Sequence, residues 1–432
     1  MSIKRLEMSM DQVFPKNLVV GLGAAVRVIP FIAVVYLLLA YAAYSVFTSQ
    51  IPGGNDFYPR WRGTRSLIME GKDPYSDEVT LEIQMGMYGR LARDDEDQVA
   101  FAYPLYVSLF VLPFSLFSYP QAQALWLSAL ILSVLATVIV ILHALEWELS
   151  LAGLVMLSLW CLFFYPTARS IILGQFSIIV LALLALALWA MERGHPFLAG
   201  CSLALATVKP QMVFLIIPFL LLTWLRWRRY KMLASFLTVM AILLVLSSLV
   251  LPTWLASFVT GLSRYQAYTS IYREGRSPLG VVVSYLLPTQ LSSWATLLAS
   301  LALVGYLLYV WIQMFRSHAD ACRALFITII VSLLVPVQTG TTNQVLLLLP
   351  LAYLLRRWGR NRLAAISLPL ILALGPWVLF LSTFWQRNGE HAIMAAPLPL
   401  VTLAMLWWSQ RRTDGASSIP MGQVCSPREK TG

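Results

Sequence analysis

From residue 24 to residue 47 the chain is apolar apart from Arg27 and Ser45, and comparable runs recur as far as residue 409, separated by short polar turns. About 20 such residues are what an α-helix needs to cross the hydrocarbon core of a bilayer. A chain that repeats the pattern this often cannot bury it in one water-exposed core. Composition agrees, since 59% of the 432 residues are hydrophobic and only 12% are charged. That balance excludes a soluble globular domain. In lipid every backbone polar group must be satisfied within the protein, which calls for helices rather than an open sheet. The sequence therefore reads as an all-α polytopic membrane protein, a bundle of about 11–13 transmembrane helices with external juxtamembrane helices. Crossings are expected at 24–47, 121–143, 150–166, 175–191, 197–208, 211–225, 232–251, 291–315, 322–338, 343–356, 362–383 and 392–409.

Charge sets the orientation. The net charge of +11 is not a stripe on a soluble domain, so nucleic acid is not an expected partner. Basic residues crowd short turns: Arg226, Arg228, Arg229 and Lys231; Arg316 and Arg323; Arg356, Arg357, Arg360 and Arg362; Arg411 and Arg412. The positive-inside rule places these turns and both termini in the cytoplasm, in a multi-pass protein of the plasma membrane. The polar segments 48–120 and 252–290 then face outward. The run 101–117 carries Pro113 and is borderline for a crossing, so a juxtamembrane or re-entrant element is expected. The runs 197–208 and 211–225 meet at Lys209-Pro210 and read as two short crossings or one kinked helix. Residues 1–412 read as a single transmembrane catalytic domain, and 413–432 as a disordered cytoplasmic tail. The four cysteines are scattered and imply neither a metal nor a disulfide framework.

The chemistry concentrates where the first apolar run ends. Gly53-Gly54-Asn55-Asp56-Phe57-Tyr58-Pro59-Arg60-Trp61-Arg62 offers a carboxylate beside aromatics and arginines. A carboxylate at a helix exit is ordinarily a solvated cap, and Trp and Tyr gather at membrane interfaces in any case. Arg60 and Arg62, however, have the bidentate donor geometry that phosphate recognition uses, and Tyr58 is placed to stack on a sugar. Asp56 is the candidate base. Further polar patches follow at Arg169 with Gly174-Gln175, at Lys209, in the 252–290 loop with Arg264 and Arg276, and at Asn343-Gln344. Lys209, between two apolar segments, is costly unless it snorkels, pairs or binds an anion. In the expected topology these patches open onto the outer face around one carboxylate. That suits an anionic lipid-linked donor and an acceptor hydroxyl deprotonated by Asp56. The Asp-x-Asp spacing after the first helix occurs only within the acidic run Asp94-Asp95-Glu96-Asp97, and no histidine cluster or phosphate-binding glycine loop is visible, so neither a metal nor a cofactor is expected.

In order, Asn55-Asp56-Phe57-Tyr58, Glu70-Gly71-Lys72-Asp73-Pro74-Tyr75, Phe101-Ala102-Tyr103-Pro104 with Trp126, Gly174-Gln175-Phe176-Ser177, and Ala199-Gly200 leading to Lys209-Pro210-Gln211 resemble glycosyltransferase family 87, the polyprenol-phosphate-mannose-dependent type within the glycosyltransferase-C superfamily. The resemblance spans roughly residues 50 to 230; beyond it the match is mainly in hydropathy. It implies an inverting transfer of mannose or a related hexose or pentose from a polyprenyl-phosphate donor to a glycolipid or glycan acceptor on the outer face. Asp56 falls at the family's catalytic aspartate, with Tyr75 and Tyr103 in its binding stretches. One departure is Thr342-Asn343-Gln344, where many members carry an ionisable residue. The rival reading is a transporter or flippase of lipid-linked glycans, which also needs many spans and a basic cavity.

Overall fold

The computed structural model describes residues 16–93, 97–268, 277–317, 320–336, 339–358, 362–387 and 390–411. Among them there is no strand, and the all-α polytopic expectation is met. The first apolar run forms α1 (Lys16–Ala43), which continues into a π-helical turn at Tyr44–Thr48. Two polar helices follow, α2 (Tyr58–Glu70) and α3 (Asp77–Tyr88). Their ends are written in the sequence. Pro59 opens α2 where its missing N–H is harmless, Ser76 caps α3 by accepting from the Val79 amide, and Gly71 and Gly89 close them in the left-handed conformation.

A 3-10 turn (Leu105–Val107) leads into α4 (Ser108–Ser115), on which α2 packs. At 1.5 Å per residue these elements reach only about 16 Å, too short to cross a bilayer core, as expected of a juxtamembrane or re-entrant piece. Then come α5 (Tyr119–Ala144), α6 (Leu151–Phe163), α7 (Tyr165–Ile172), α8 (Ser177–Arg193) and α9 (Pro196–Leu205). They are followed by α10 (Pro210–Val213), α11 (Ile216–Arg226), α12 (Tyr230–Val250), α13 (Trp254–Tyr268) and α14 (Pro278–Leu286). The last third holds α15 (Thr289–Ser317), α16 (Ala321–Leu334), α17 (Leu348–Trp358), α18 (Arg362–Arg387) and α19 (Pro397–Arg411).

By length and composition six of the described helices can cross a membrane, or up to seven if α6 and α7, bent by 63° at Phe164, count as one span. The remaining apolar runs fold as shorter or broken helices, and the breaks have physical causes. Pro166 sits at the start of α7 and cannot continue the ladder of α6. Pro210 disfavours a helical conformation at the residue before it, and Lys209 is accordingly extended (φ −125°, ψ 78°) between a 3-10 turn at Ala206–Val208 and α10. The run 343–356 begins as a fully buried 3-10 turn, Thr341–Leu347, before α17. Interior packing centres on α16, which is buried along nearly its whole length. Cys161 and Cys201 are free thiols, whereas Cys322 is disulfide-bonded, a cross-link that the scattered spacing gave no sign of.

Helix α9 packs closely against α12. A Cβ at Gly200 would lie 2.6 Å from the Met232 carbonyl oxygen and 2.6 Å from the Phe236 amide nitrogen, both backbone atoms that cannot rotate away. Gly200→Ala is therefore expected to destabilise the detergent-solubilised protein by about 1–3 kcal/mol, read as a lower midpoint of thermal unfolding. An unchanged midpoint would contradict the packing.

Candidate active site

Asp56 sits in the turn between α1 and α2, and that turn is fastened on every side. The Gly53 amide donates to Gln123 Oε1 (3.1 Å), and the Tyr119 hydroxyl donates to the carbonyls of Gly53 (2.7 Å) and Gly54 (2.9 Å). Gly54 has φ +66°, and a Cβ there would meet Gln123 Nε2 at 2.8 Å, so only glycine turns the chain this closely against α5. The Asp56 amide donates to the Leu173 carbonyl (3.1 Å). Phe57 stacks on Trp126 with ring centres 4.9 Å apart and planes 7° from parallel, while the Trp126 indole donates to the Gly174 carbonyl (2.9 Å). Two turns far apart in sequence are thus clasped together against α5.

Their polar side chains form one hydrogen-bonded series. Gln175 Nε2 donates to Asp56 Oδ2 (2.7 Å), and Gln175 Oε1 accepts from Lys209 Nζ (2.7 Å). Lys209 Nζ also donates to Ser177 Oγ (2.8 Å), and Ser177 Oγ lies 3.5 Å from Asn343 Oδ1. An amide with one partner that only accepts and one that only donates has a single satisfied orientation. Gln175 therefore connects a carboxylate to an ammonium without neutralising either. Asp56 and Gln175 are part-exposed, whereas Lys209 is 4% exposed and lies beneath them. The backbone break that presents Lys209 is pinned from the side, since the Tyr106 hydroxyl is 2.9 Å from Thr207 Oγ1.

A second cation completes the group. Arg60, 8% exposed, donates from Nη1 to the Asp56 carbonyl (2.6 Å), and its guanidinium lies 4.2 Å from the centre of the Tyr103 ring. Burial pushes the Tyr103 phenol up to about 12, opposed by Arg60 and reinforced by Asp56, so it stays a neutral donor at physiological pH. Asp56 thus lies between an arginine and a buried lysine, and an anion bound there would favour the charged form of that lysine.

Residues 101–274 match the model of glycosyltransferase family 87, and no curated protein and no solved structure matches the chain. Over that segment, which is less than half of the chain, the sequence is similar to glycosyltransferase family 87. The family 87 segment contains Tyr103, Trp126, Gln175, Ser177 and Lys209. Asp56 precedes it, and the structure delivers Asp56 to that segment through Gln175 and Leu173. The match is thus to a family of glycosyltransferases, in a chain whose described residues include six helices long and apolar enough to cross a membrane.

The structure distributes the other sequence candidates differently. Arg62 is bound by Glu70 (2.7 Å) and Glu82 (2.5 Å), and Lys72 by Glu82 (2.6 Å) and Glu78 (2.8 Å). These pairs hold α2 to α3, with the Glu70 and Glu82 carboxyls drawn below the usual range chiefly by hydrogen bonds from Arg62 and Lys72 respectively. Arg62 is thus not brought to Asp56. Tyr58 packs against Trp61 and Tyr119. The Tyr75 hydroxyl donates to the Tyr103 carbonyl (2.7 Å) and supports that residue from behind. Asn343 reaches the group through Ser177, while Gln344 donates to the Ala395 carbonyl (2.7 Å) and anchors its own turn. Arg276 and the side chain of Arg264, on α13, lie outside the described residues.

Arg169 meets a partner that sequence reading missed. Its Nε lies 2.9 Å from Glu390 Oε2, while Glu390 Oε1 accepts from Tyr165 (2.8 Å) and from Thr341 (2.6 Å). Glu390 so ties α7, which carries the Gln175 turn at its end, to the 341–347 turn that carries Asn343. Nothing in the spacing marks it, because its partners are 225 and 49 residues away. Glu390→Ala is expected to cost about 1–3 kcal/mol of stability by orphaning two hydroxyls and a guanidinium, and Glu390→Gln less, because an acceptor oxygen remains. Thermal unfolding of the two variants in detergent checks the order; equal losses would contradict it.

Proposed function

We propose that the protein transfers a sugar, mannose or a related hexose or pentose, from a polyprenyl-phosphate donor to a glycolipid or glycan acceptor on the outer face of the plasma membrane, with inversion at the anomeric carbon. The observation that carries this reading is the Asp56–Gln175–Lys209 series: a part-exposed carboxylate held 2.7 Å from an amide that is in turn held 2.7 Å from a buried ammonium. A transferase whose leaving group is a lipid phosphate needs both halves of that arrangement. The family 87 match and the resemblance of Asn55-Asp56-Phe57-Tyr58 to the family's catalytic stretch support the same assignment.

In the proposed reaction Asp56 accepts the proton of an acceptor hydroxyl as its oxygen attacks the anomeric carbon. The new carbon–oxygen bond forms on one face of the sugar while the bond to the phosphate oxygen breaks on the other, and the electron pair leaves with the phosphate. The departing lipid phosphate gains a negative charge, and Lys209 and Arg60 stabilise it as it develops. A phosphate leaving group that is already ionised requires no general acid. Gln175 keeps the Asp56 carboxylate oriented while leaving one of its oxygens for the hydroxyl. Tyr103, a neutral phenol, and Phe57, stacked on Trp126, pack beside this group of residues.

Asp56→Asn preserves the shape and the bond to Gln175 side by side but removes the base. In proteoliposomes supplied with radiolabelled polyprenyl-phosphate sugar, turnover is expected to fall by roughly 10²–10⁴-fold while donor still binds. Lys209→Ala is expected to raise the donor KM by about 10–100-fold, the loss of a charge-assisted hydrogen bond. Near-normal turnover in Asp56→Asn would remove the mechanism, and an unchanged donor KM in Lys209→Ala would remove the ammonium's part in it.

A further inference from the structure

The end of the bundle away from Asp56 holds a cavity of about 290 Å³ between α15, α16 and α19, lined by Tyr306, Arg323, Ile327, Leu400, Leu403 and Trp407 among others. It is separate from the site just described. Arg323 lies in the first turn of α16, whereas the 341–347 turn of the candidate site follows the other end of that helix, about 21 Å away at 1.5 Å per residue.

The position of Arg323 is not explained by the helix. A cation in a first turn faces the positive end of the helix dipole. The Asp320 carboxylate caps the same turn by accepting from the Arg323 amide (3.0 Å), whereas the guanidinium turns to the Tyr306 hydroxyl. The guanidinium donates once, from Nη2 to the Tyr306 hydroxyl (3.1 Å), its Nε is buried with no hydrogen-bond partner, and it forms no ion pair among the described residues. A buried donor left without an acceptor is costly. Beyond it the lining is apolar, and Trp407, more than half exposed, stands at the rim as tryptophan does at the membrane interface.

Other cations gather at this end. Arg316 closes α15, and Arg357, in the last turn of α17, donates to the Ser409 carbonyl of α19 (3.3 Å). An apolar groove between membrane helices, with an under-satisfied arginine at one end and further arginines around it, has the chemistry of a lipid with an anionic head. We propose that this groove binds an anionic phospholipid of the surrounding bilayer, its phosphate on Arg323 and one acyl chain along Ile327, Leu400 and Leu403. The phosphate supplies the acceptor that Arg323 Nε lacks, and the chain covers apolar side chains that no helix covers.

The test is native mass spectrometry of the full-length protein in detergent, titrated with phosphatidylglycerol or phosphatidylcholine of matched chains. Phosphatidylglycerol is expected to bind in preference, with occupancy falling about fivefold in Arg323→Ala and partly recovered in Arg323→Lys. Ala404→Phe, which fills the groove without touching the charge, is expected to lower occupancy by both lipids and covers the case in which Arg323→Ala does not fold. Equal binding of the two lipids, occupancy unchanged in both Arg323→Ala and Ala404→Phe, or a dimer in place of lipid adducts would overturn the proposal.

Discussion

Everything else at the candidate site depends on how the protein accommodates the buried ammonium of Lys209. A lysine at membrane depth must snorkel, pair or be solvated by the protein, and here the protein solvates it: Gln175 and Ser177 supply oxygens at 2.7 and 2.8 Å. Neither oxygen is charged. The ammonium keeps its electrostatic reach, and a carboxylate stands one amide away. Direct pairing with Asp56 would have satisfied both groups and left nothing for a substrate. The intervening glutamine holds them apart while fixing the geometry of both.

That arrangement requires backbone that is not helical in the middle of apolar sequence, which lipid does not tolerate unless protein surrounds it. The chain meets the requirement with three breaks brought to one place. The Gly53–Phe57 turn ends an apolar helix, the Leu173–Gln175 turn and the extended residue at Lys209 interrupt apolar sequence, and each is clasped by side chains from a neighbour: Tyr119 and Gln123 on the first, Trp126 on the second, Tyr106 on the third. Glu390 adds a fourth connection behind α7. The same logic explains why so many apolar runs fold into helices too short to cross. The breaks that build the site consume the residues that a straight span would use.

Much of this was legible in the sequence, and the rest was not for identifiable reasons. The all-α membrane class followed from run length, and Lys209-Pro210 stood out because lysine is expensive there and proline ends helices. Asp56, Gln175 and Lys209 were each visible as polar interruptions, and the structure joins them. Arg62 shows the opposite case: its guanidinium is of the kind that binds phosphate, yet Glu70 and Glu82 hold it, and the acidic excess between residues 52 and 100 is the available hint. Glu390 carried no signal, because a glutamate in a short polar turn looks like any solvated charge until the fold sets Tyr165 and Arg169 against it. The number of spans was difficult for a related reason: hydropathy counts apolar residues and is blind to a 3-10 turn such as Thr341–Leu347.

The central claim is that Lys209 holds the donor phosphate while Asp56 faces the anomeric carbon. A cryo-electron microscopy structure of the protein with a non-transferable polyprenyl-phosphate sugar analogue tests it most directly. The account predicts a phosphate oxygen within hydrogen-bond distance of Lys209 Nζ, in place of or beside Gln175 Oε1, with the sugar's anomeric carbon turned toward Asp56. A phosphate seated elsewhere, with the Asp56–Gln175–Lys209 series untouched, would contradict it.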